Sequence, residues 1–300
     1  MADTSLPLGQ FRTNAYSQAG EDGILTEIFN RLGVDQGTFC EFGAWDGQHL
    51  SNTFAFYKKG WGGWYIEGEA DRVEDLRRNV DRPNVENIQA WVMRSGSGTL
   101  DNLLTGSKLY RDGTLTSLDL LSIDIDSDDL AIWKSVKAFR PKVVIIEINP
   151  TIPIDVFFEN PEGEFKGNSA RSTYEYARSQ DYGLVATTIC NMIFIDQRLA
   201  HQPLSLLDIA DLSHVFGTRY FFGYDGSLIA KTANDQTVSH QVPDIIRVPW
   251  MGFRFTQPVP SGFRSSTQGR TRRRLGQLLN RLRLAISHPI ISLTGKVFKS

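Results

Sequence analysis

Residues 184–195 read LVATTICNMIFI, two apolar runs separated only by Cys190 and Asn191. Two residues are too few for the crossover that joins parallel strands, so the runs are predicted to form an antiparallel hairpin. Upstream, short apolar runs alternate with helical patterns, which is typical of right-handed βαβ units. The sequence therefore predicts an α/β fold with a doubly wound, Rossmann-like sheet of seven strands, mostly parallel and ending in an antiparallel hairpin.

Hydrophobic periodicity and Gly, Pro and Asn boundaries place the individual elements. Helices are predicted at residues 22–32, 51–59, 70–79, 130–139 and 170–180, and strands at 38–42, 63–67, 85–92, 118–125, 143–148, 184–189 and 192–195. Residues 150–168 hold three Pro and two Gly and are predicted to form an inserted loop over the carboxyl edge of the sheet.

Composition excludes several classes of protein. A chain of 300 residues with 41% hydrophobic content can bury a sizeable core, so a disordered chain is excluded. Its two cysteines argue against a disulfide framework and a cysteine-ligated zinc site. The start lacks the pattern of a secretory signal, and no apolar stretch is long enough to span a membrane. We expect a cytoplasmic protein.

Four regions are expected along the chain. Residues 1–36 are expected to form a lead and a helix that covers the ligand site, and residues 37–200 to form the Rossmann-like domain. Residues 201–257 complete the acceptor pocket, with a helical pattern at 204–215 and a hairpin around Asp225 and Gly226 in 220–231. Residues 258–300 hold a linker and a basic tail.

The first predicted strand ends in an acid and a glycine turn, EFGAWDG at residues 41–47. Ligands of open α/β sheets bind at the carboxyl ends of the strands, where glycine allows close backbone approach. The spacing G-x-x-x-G departs from the G-x-G-x-x-G of NAD-binding proteins, so a dinucleotide is disfavoured. The second strand ends in Glu67 and Gly68, where a carboxylate can bind both hydroxyls of a ribose. The alternative is that Glu41 and Glu67 are ordinary strand-end carboxylates.

These features, with IDID at residues 123–126, resemble the FkbM-type class I methyltransferases over roughly residues 16–197. The resemblance implies S-adenosyl-L-methionine as cofactor and methylation of a hydroxyl, often of a sugar. It also implies that the cofactor lies against the first glycine turn, that a carboxylate holds its ribose and that the lead YSQxGEDG folds over it. The implied cofactor-binding residues are Ser17, Gln18, Glu41, Gly43, Ala44, Gly47, Glu67 and Gly68, with Gln89, Ala90 and Trp91 near the adenine. Trp45 and Ser122 stand where the family usually has Asn and Lys.

Acidic residues follow the fourth and fifth predicted strands. Asp124 and Asp126 lie so close that they would repel unless protonated or bridged by a cation. With Glu147 and Asn149 they offer hard oxygen ligands that suit Mg²⁺ or Mn²⁺. Asp128 and Asp129 precede a helix and are interpreted as caps.

Methyl transfer requires an aligned acceptor oxygen and removal of its proton. Asp124 is the predicted base or metal ligand. Asp126 is predicted to act beside it as a metal ligand or by hydrogen bonding to the substrate, and His49 is the alternative base. Trp45 and Trp91 are candidates to stack on adenine or on a sugar, although such residues more often pack against the protein.

Charge is distributed unevenly. After Asp244 there are 11 basic residues and no acidic one, whereas the preceding chain has 34 acidic and 21 basic residues. Residues 271–286 place Leu275, Leu278, Leu279, Leu282 and Ile286 on one face of a basic amphipathic helix. Such a segment can lie on an anionic membrane, dock on another subunit of a homo-oligomer or remain a solubilising tail. Nucleic acid is not expected, because the body is acidic.

The sequence therefore predicts an S-adenosylmethionine-dependent O-methyltransferase whose acceptor is a saccharide or a similar polyhydroxyl compound. A non-catalytic binding module with a degenerate methyltransferase fold is the alternative, and an NAD-dependent sugar oxidoreductase fits the fold but not the glycine spacing.

Overall fold

The computed structural model describes residues 6–199, 204–212, 219–222 and 228–231. Within these ranges no helix combines the length and the apolar character needed to cross a membrane. The predicted linker and basic tail, residues 258–300, lie outside the described residues, as does the predicted Asp225-Gly226 turn.

One sheet of seven strands organises the described chain, in the order β3-β2-β1-β4-β5-β7-β6. Its strands are β1 (Thr38–Phe42), β2 (Gly62–Glu67), β3 (Val85–Gln89), β4 (Leu120–Ile123), β5 (Val143–Glu147), β6 (Tyr182–Thr187) and β7 (Asn191–Asp196). The first five are parallel, and β7 is antiparallel to both β5 and β6. The predicted doubly wound, Rossmann-like sheet with a terminal hairpin is confirmed.

Seven α-helices are described. They are α1 (Glu21–Leu32), α2 (Phe54–Lys58), α3 (Ala70–Asn79), α4 (Leu100–Gly106), α5 (Lys108–Arg111), α6 (Asp129–Ser135) and α7 (Ala170–Ser179). A separate pair, β8 (Arg219–Phe222) and β9 (Leu228–Lys231), is antiparallel, as predicted.

Both faces of the sheet are buried. Strand β5 reads VVIIE, and its residues alternate between two apolar clusters, with Val143 and Ile145 in one and Val144 and Ile146 in the other. This double burial explains why the strand is an unbroken apolar run, since each face is covered by helices.

Some predicted boundaries are wrong. Helices α4 and α5 were not predicted, because the Gly106-Ser107 break interrupts the periodicity of their leucines. The predicted strand 85–92 ends at Gln89, and the predicted helix 130–139 ends at Ser135. The described part of the predicted helix 204–215 contains only a 3₁₀ turn at Ile209–Leu212.

Candidate functional site at the carboxyl edge

The carboxyl ends of the parallel strands bring the predicted site residues to one edge of the sheet. Strand β1 lies between β2 and β4, so the connections that follow β1 and β4 diverge to opposite sides. Such a switch point is where open α/β sheets bind ligands. The turn at residues 43–47, Glu67, Asp124 and Glu147 all lie at or directly after these strand ends.

The turn after β1 requires its glycines. Gly43 and Gly47 have φ angles of 73° and 76°, in the left-handed region that favours glycine. A β carbon on Gly43 would lie 2.1 Å from the carbonyl oxygen of Asp124, and one on Gly47 would lie 2.6 Å from Leu76. The glycines therefore let this turn pack directly against the chain that follows β4 and against α3. Ala44, between them, is buried.

Glu67 joins this turn to the end of β2. Its carboxylate accepts a hydrogen bond from the backbone N–H of Trp45 at 2.8 Å and from that of Glu69 at 2.8 Å. Each carboxylate oxygen accepts one of these bonds, so each retains a lone pair for a further donor. The carboxylate is therefore held in place by the backbone and keeps capacity for a ligand hydroxyl.

Glu41 is bound in a different way. Oε2 accepts hydrogen bonds from the hydroxyls of Ser51 and Thr53 at 2.5 and 2.7 Å, and Oε1 accepts from the backbone of Asn52 at 2.8 Å and from Ser122 at 3.3 Å. Burial raises the pKa of Glu41, and these hydrogen bonds lower it in part. Four protein donors surround the carboxylate, so Glu41 holds residues 51–53 against the end of β1. Its contact with a cofactor stays a prediction.

Trp91 lies over Gly68. A β carbon on Gly68 would stand 2.4 Å from the indole, although 66% of Trp91 is exposed. The backbone N–H of Ala90 donates to the carbonyl of Glu67 at 3.0 Å, which holds this segment beside β2, directly after Gln89. One indole face is therefore supported by the backbone while much of the ring remains available.

The lead segment packs at the opposite end of the edge, beside the hairpin. Glu21 is fully buried and accepts hydrogen bonds from Thr188 at 2.6 Å and Asn191 at 3.1 Å. Ser17 is buried, and its hydroxyl accepts from the backbone of Asp22 and donates to Asn14. The donor and acceptor groups of Ser17 are engaged within this turn, whereas Gln18 is exposed and accepts from Cys190.

Asp124 and Glu147 follow or end the neighbouring strands β4 and β5, and their carboxyl groups influence each other. Burial raises the pKa of both groups, and in each case neighbouring carboxylates, among them Asp126 and Asp129, raise it further. Both shifts favour the neutral carboxyl form, and protonation is one of the two ways in which the sequence predicted that repulsion at this strand end would be relieved.

The predicted metal ligands do not fit a divalent cation. The side-chain oxygen of Asn149 accepts from the backbone and the hydroxyl of Thr151, at 2.9 and 2.6 Å, so its amide holds the following turn. Asp126 is exposed and has a φ angle of 61°. Across the described ranges, no three His, Cys, Asp or Glu side chains converge as metal ligands would.

Asp129 and Asp128 hold the chain around α6. Asp129 accepts from the backbone of Ile125 and Ser127, both at 2.9 Å, and burial raises its pKa to about 6. Asp128 forms an ion pair with Arg94 and makes no side-chain bond to the helix. Asp128 therefore occupies the predicted N-cap position of α6, but its carboxylate binds the guanidinium of Arg94 and not the backbone of the helix.

His49 lies at the surface beside Trp45, with ring centroids 5.4 Å apart. Arg72 covers the indole of Trp45 at 4.7 Å from the centroid. His49 therefore packs on an aromatic ring at the mouth of the turn.

The partners of these carboxylates were not predicted. The donors to Glu41 are Ser51, Thr53 and Ser122, and the only local indication of them is the polar run 51–53. Nothing in the sequence near Arg94 indicates its ion pair with Asp128.

No family model matches the chain, and no curated protein matches it. Similar solved structures include TrmK of M. capricolum in complex with S-adenosyl-homocysteine, at 8% identity and a TM-score of 0.31, over 56% of this chain and 66% of that one. The glycopeptide N-methyltransferase MtfA complexed with sinefungin is similar at 14% identity and a TM-score of 0.33, over 61% and 88%. The 16S rRNA methylase ArmA is similar at 10% identity and a TM-score of 0.32, over 59% and 82%. No residue role is carried over from these proteins.

Proposed function

We propose that this protein is an S-adenosylmethionine-dependent O-methyltransferase that methylates a hydroxyl of a saccharide or glycan-like acceptor. The observation that carries the proposal is the hydrogen bond from the Trp45 backbone to Glu67. It fixes a glycine turn and a strand-end carboxylate against each other at the switch point of the sheet. The FkbM-type motifs at residues 41–47, 67 and 123–126 support the same proposal.

The residues at this edge fit the cofactor. Glu67 has acceptor capacity for the two ribose hydroxyls, and the backbone of Gly43–Gly47 borders the same space. Trp91 offers an exposed aromatic face beside Gly68 for the adenine. Glu41 supports this arrangement from below by holding residues 51–53.

When bound, the cofactor supplies a methyl carbon activated by a sulfonium, and the protein has to orient the acceptor oxygen and remove its proton. Asp124 is the proposed base, acting with Glu147. The raised pKa of both carboxyl groups favours uptake of the proton that the acceptor hydroxyl loses. No metal takes part in the proposal, because the amide oxygen of Asn149 already accepts two hydrogen bonds and no three His, Cys, Asp or Glu side chains converge within the described residues.

Calorimetric titration of S-adenosylhomocysteine into the full chain tests the cofactor, with NAD as the control ligand. We expect micromolar affinity for the first and none for the second. Glu67→Ala should weaken binding at least about tenfold, since a hydrogen bond to a charged group contributes roughly 1.5–3 kcal/mol. The matched control is Glu69→Ala, an exposed neighbour that reaches Glu67 only through its backbone. A folded protein that binds neither ligand would favour the non-catalytic module.

Transfer of a labelled methyl group to a panel of neutral glycans tests the reaction. Asp124→Asn should lower turnover about 10²-fold or more, the usual contribution of a positioned acid–base group, and leave S-adenosylhomocysteine binding intact. Methylation of nitrogen acceptors alone would contradict the proposed acceptor but not the cofactor.

A further inference from the structure

Four large apolar side chains are exposed in two connections that follow strands at the carboxyl edge. Trp91, Met93, Phe157 and Phe165 have exposed fractions of 66%, 56%, 53% and 65%. We refer to these four residues as the apolar rim. They lie in the connections that follow β3 and β5, whose carboxyl ends share this edge. Exposed apolar groups concentrated in one region mark an interaction surface.

A polar cluster ties the two connections together. Arg94 donates to Asp128 at 2.7 Å and to the carbonyl of Asn160 at 3.0 Å, and the side chain of Asn160 donates to Asp128 at 2.9 Å. Asn160 in turn accepts from the backbone of Lys166 at 3.1 Å. These hydrogen bonds join the connection that holds Trp91 and Met93 to the connection that holds Phe157 and Phe165.

The connections at the carboxyl edge, which we call the acidic surface, carry an excess of acidic residues. The connections at residues 43–50, 91–98, 124–129 and 150–169 contain nine acidic and two basic residues. Both bases are paired, Arg94 with Asp128 and Lys166 with Glu164. A partner with the opposite character, apolar on one side and basic on the other, is favoured, while anionic lipids and nucleic acids are repelled.

The sequence of this chain contains such a partner. Residues 271–286 read TRRRLGQLLNRLRLAI, with five apolar residues on one predicted helix face and five arginines. The 39 residues from 232 to 270 would span up to about 130 Å when extended, far more than a domain with a radius of gyration of about 16 Å requires. A second copy packed face to face is disfavoured, since two acidic edges would repel each other.

We propose that residues 271–286 bind the apolar rim and the acidic surface around it within the same chain. The inference does not depend on the proposed function, because it concerns a surface and a segment whose apolar and charged sides complement each other.

Hydrogen exchange of the full-length protein, measured by mass spectrometry, tests this binding. Attachment to the same chain gives an effective concentration on the order of millimolar. Even an interaction of about 100 µM would then slow exchange in residues 271–286 roughly tenfold. The double variant Phe157→Ser, Phe165→Ser should remove this protection, whereas Leu6→Ser, an exposed apolar residue outside the rim, should retain it.

A second variant leaves the described residues unchanged. Replacing Arg272, Arg273 and Arg274 by Glu should speed exchange in residues 91–98 and 150–169 of the rim. Equal exchange of residues 271–286 in the wild type and the rim variant would overturn the proposal. Protection that falls on dilution would indicate binding to a second copy of the chain. Protection seen only with vesicles of anionic lipid would indicate binding to a membrane. Either result would also overturn the proposal.

Discussion

The indole of Trp91 occupies the space that a side chain on residue 68 would fill, because a β carbon there would lie 2.4 Å from the ring. Gly68→Ala should therefore displace Trp91. If Trp91 stacks on the adenine, the variant should weaken S-adenosylhomocysteine binding about 5- to 100-fold, since base stacking on an aromatic ring contributes about 1–3 kcal/mol. Calorimetry measures the effect.

The matched control for this variant is Gly106→Ala, where an added β carbon meets nothing within 4 Å. Affinity that stays unchanged in Gly68→Ala while the near-ultraviolet spectrum shows a moved tryptophan would exclude Trp91 from the cofactor site.

Truncation of Glu41 is expected to lower the stability of the fold, whereas truncation of Glu67 is expected to weaken cofactor binding. Glu41→Ala leaves buried donors of residues 51–53 without partners, at about 1–3 kcal/mol for each, so it should lower the free energy of unfolding by several kcal/mol. Glu67→Ala leaves two backbone donors near the edge and should affect binding more than unfolding. Urea denaturation beside calorimetry separates the two effects, and equal stability of both variants would contradict this division.

Stability should fall as the pH rises through the pKa of Asp129. That pKa is about 6 in the folded chain, above the ordinary value, so the folded state binds a proton that the unfolded state has lost. The stabilisation is complete below about pH 4 and disappears as the pH rises past 6, on the order of 3 kcal/mol in total. Asp129→Asn should flatten this part of the profile in urea denaturations between pH 4 and 8. A variant with the wild-type slope would refute the assignment.

Asp196 should give the opposite sign. Burial alone would raise the pKa of its carboxyl, but hydrogen bonds from Arg140 and Arg198 hold it well below the ordinary value. Its contribution is therefore present above about pH 4 and is lost as the pH falls through the folded pKa. Asp196→Asn should destabilise the protein at pH 7 by about 1.5–3 kcal/mol and much less at pH 3. A difference that is independent of pH would show that charge is not the cause.

The strands of the sheet could be predicted from their short apolar runs, because they are buried on both faces. Strand β1 was predicted with its observed bounds, and the hairpin followed from the short separation of only two residues between its predicted strands. Helices α4 and α5 are short and divided by Gly106, so no window of periodicity contains them. Element ends that depend on tertiary contacts, such as that of β3, could not be read from periodicity.

The candidate site was predictable by residue type but not by bonding. The sequence places Glu41 and Glu67 at neighbouring strand ends, yet only the folded chain shows that four donors surround the first while the second keeps free lone pairs. The donors to Glu41 come from residues up to 81 positions away. The mutual influence of Asp124 and Glu147 likewise depends on two strands meeting in space.

The buried carboxylate of Glu21 has a consequence for synthesis of the chain. Its partners Thr188 and Asn191 follow it by 167 and 170 residues. At about 5–20 residues per second, a ribosome needs roughly 10–30 s to supply them. During that interval Glu21 cannot form these two hydrogen bonds, so this part of the native structure is completed only after the hairpin of β6 and β7 has been made.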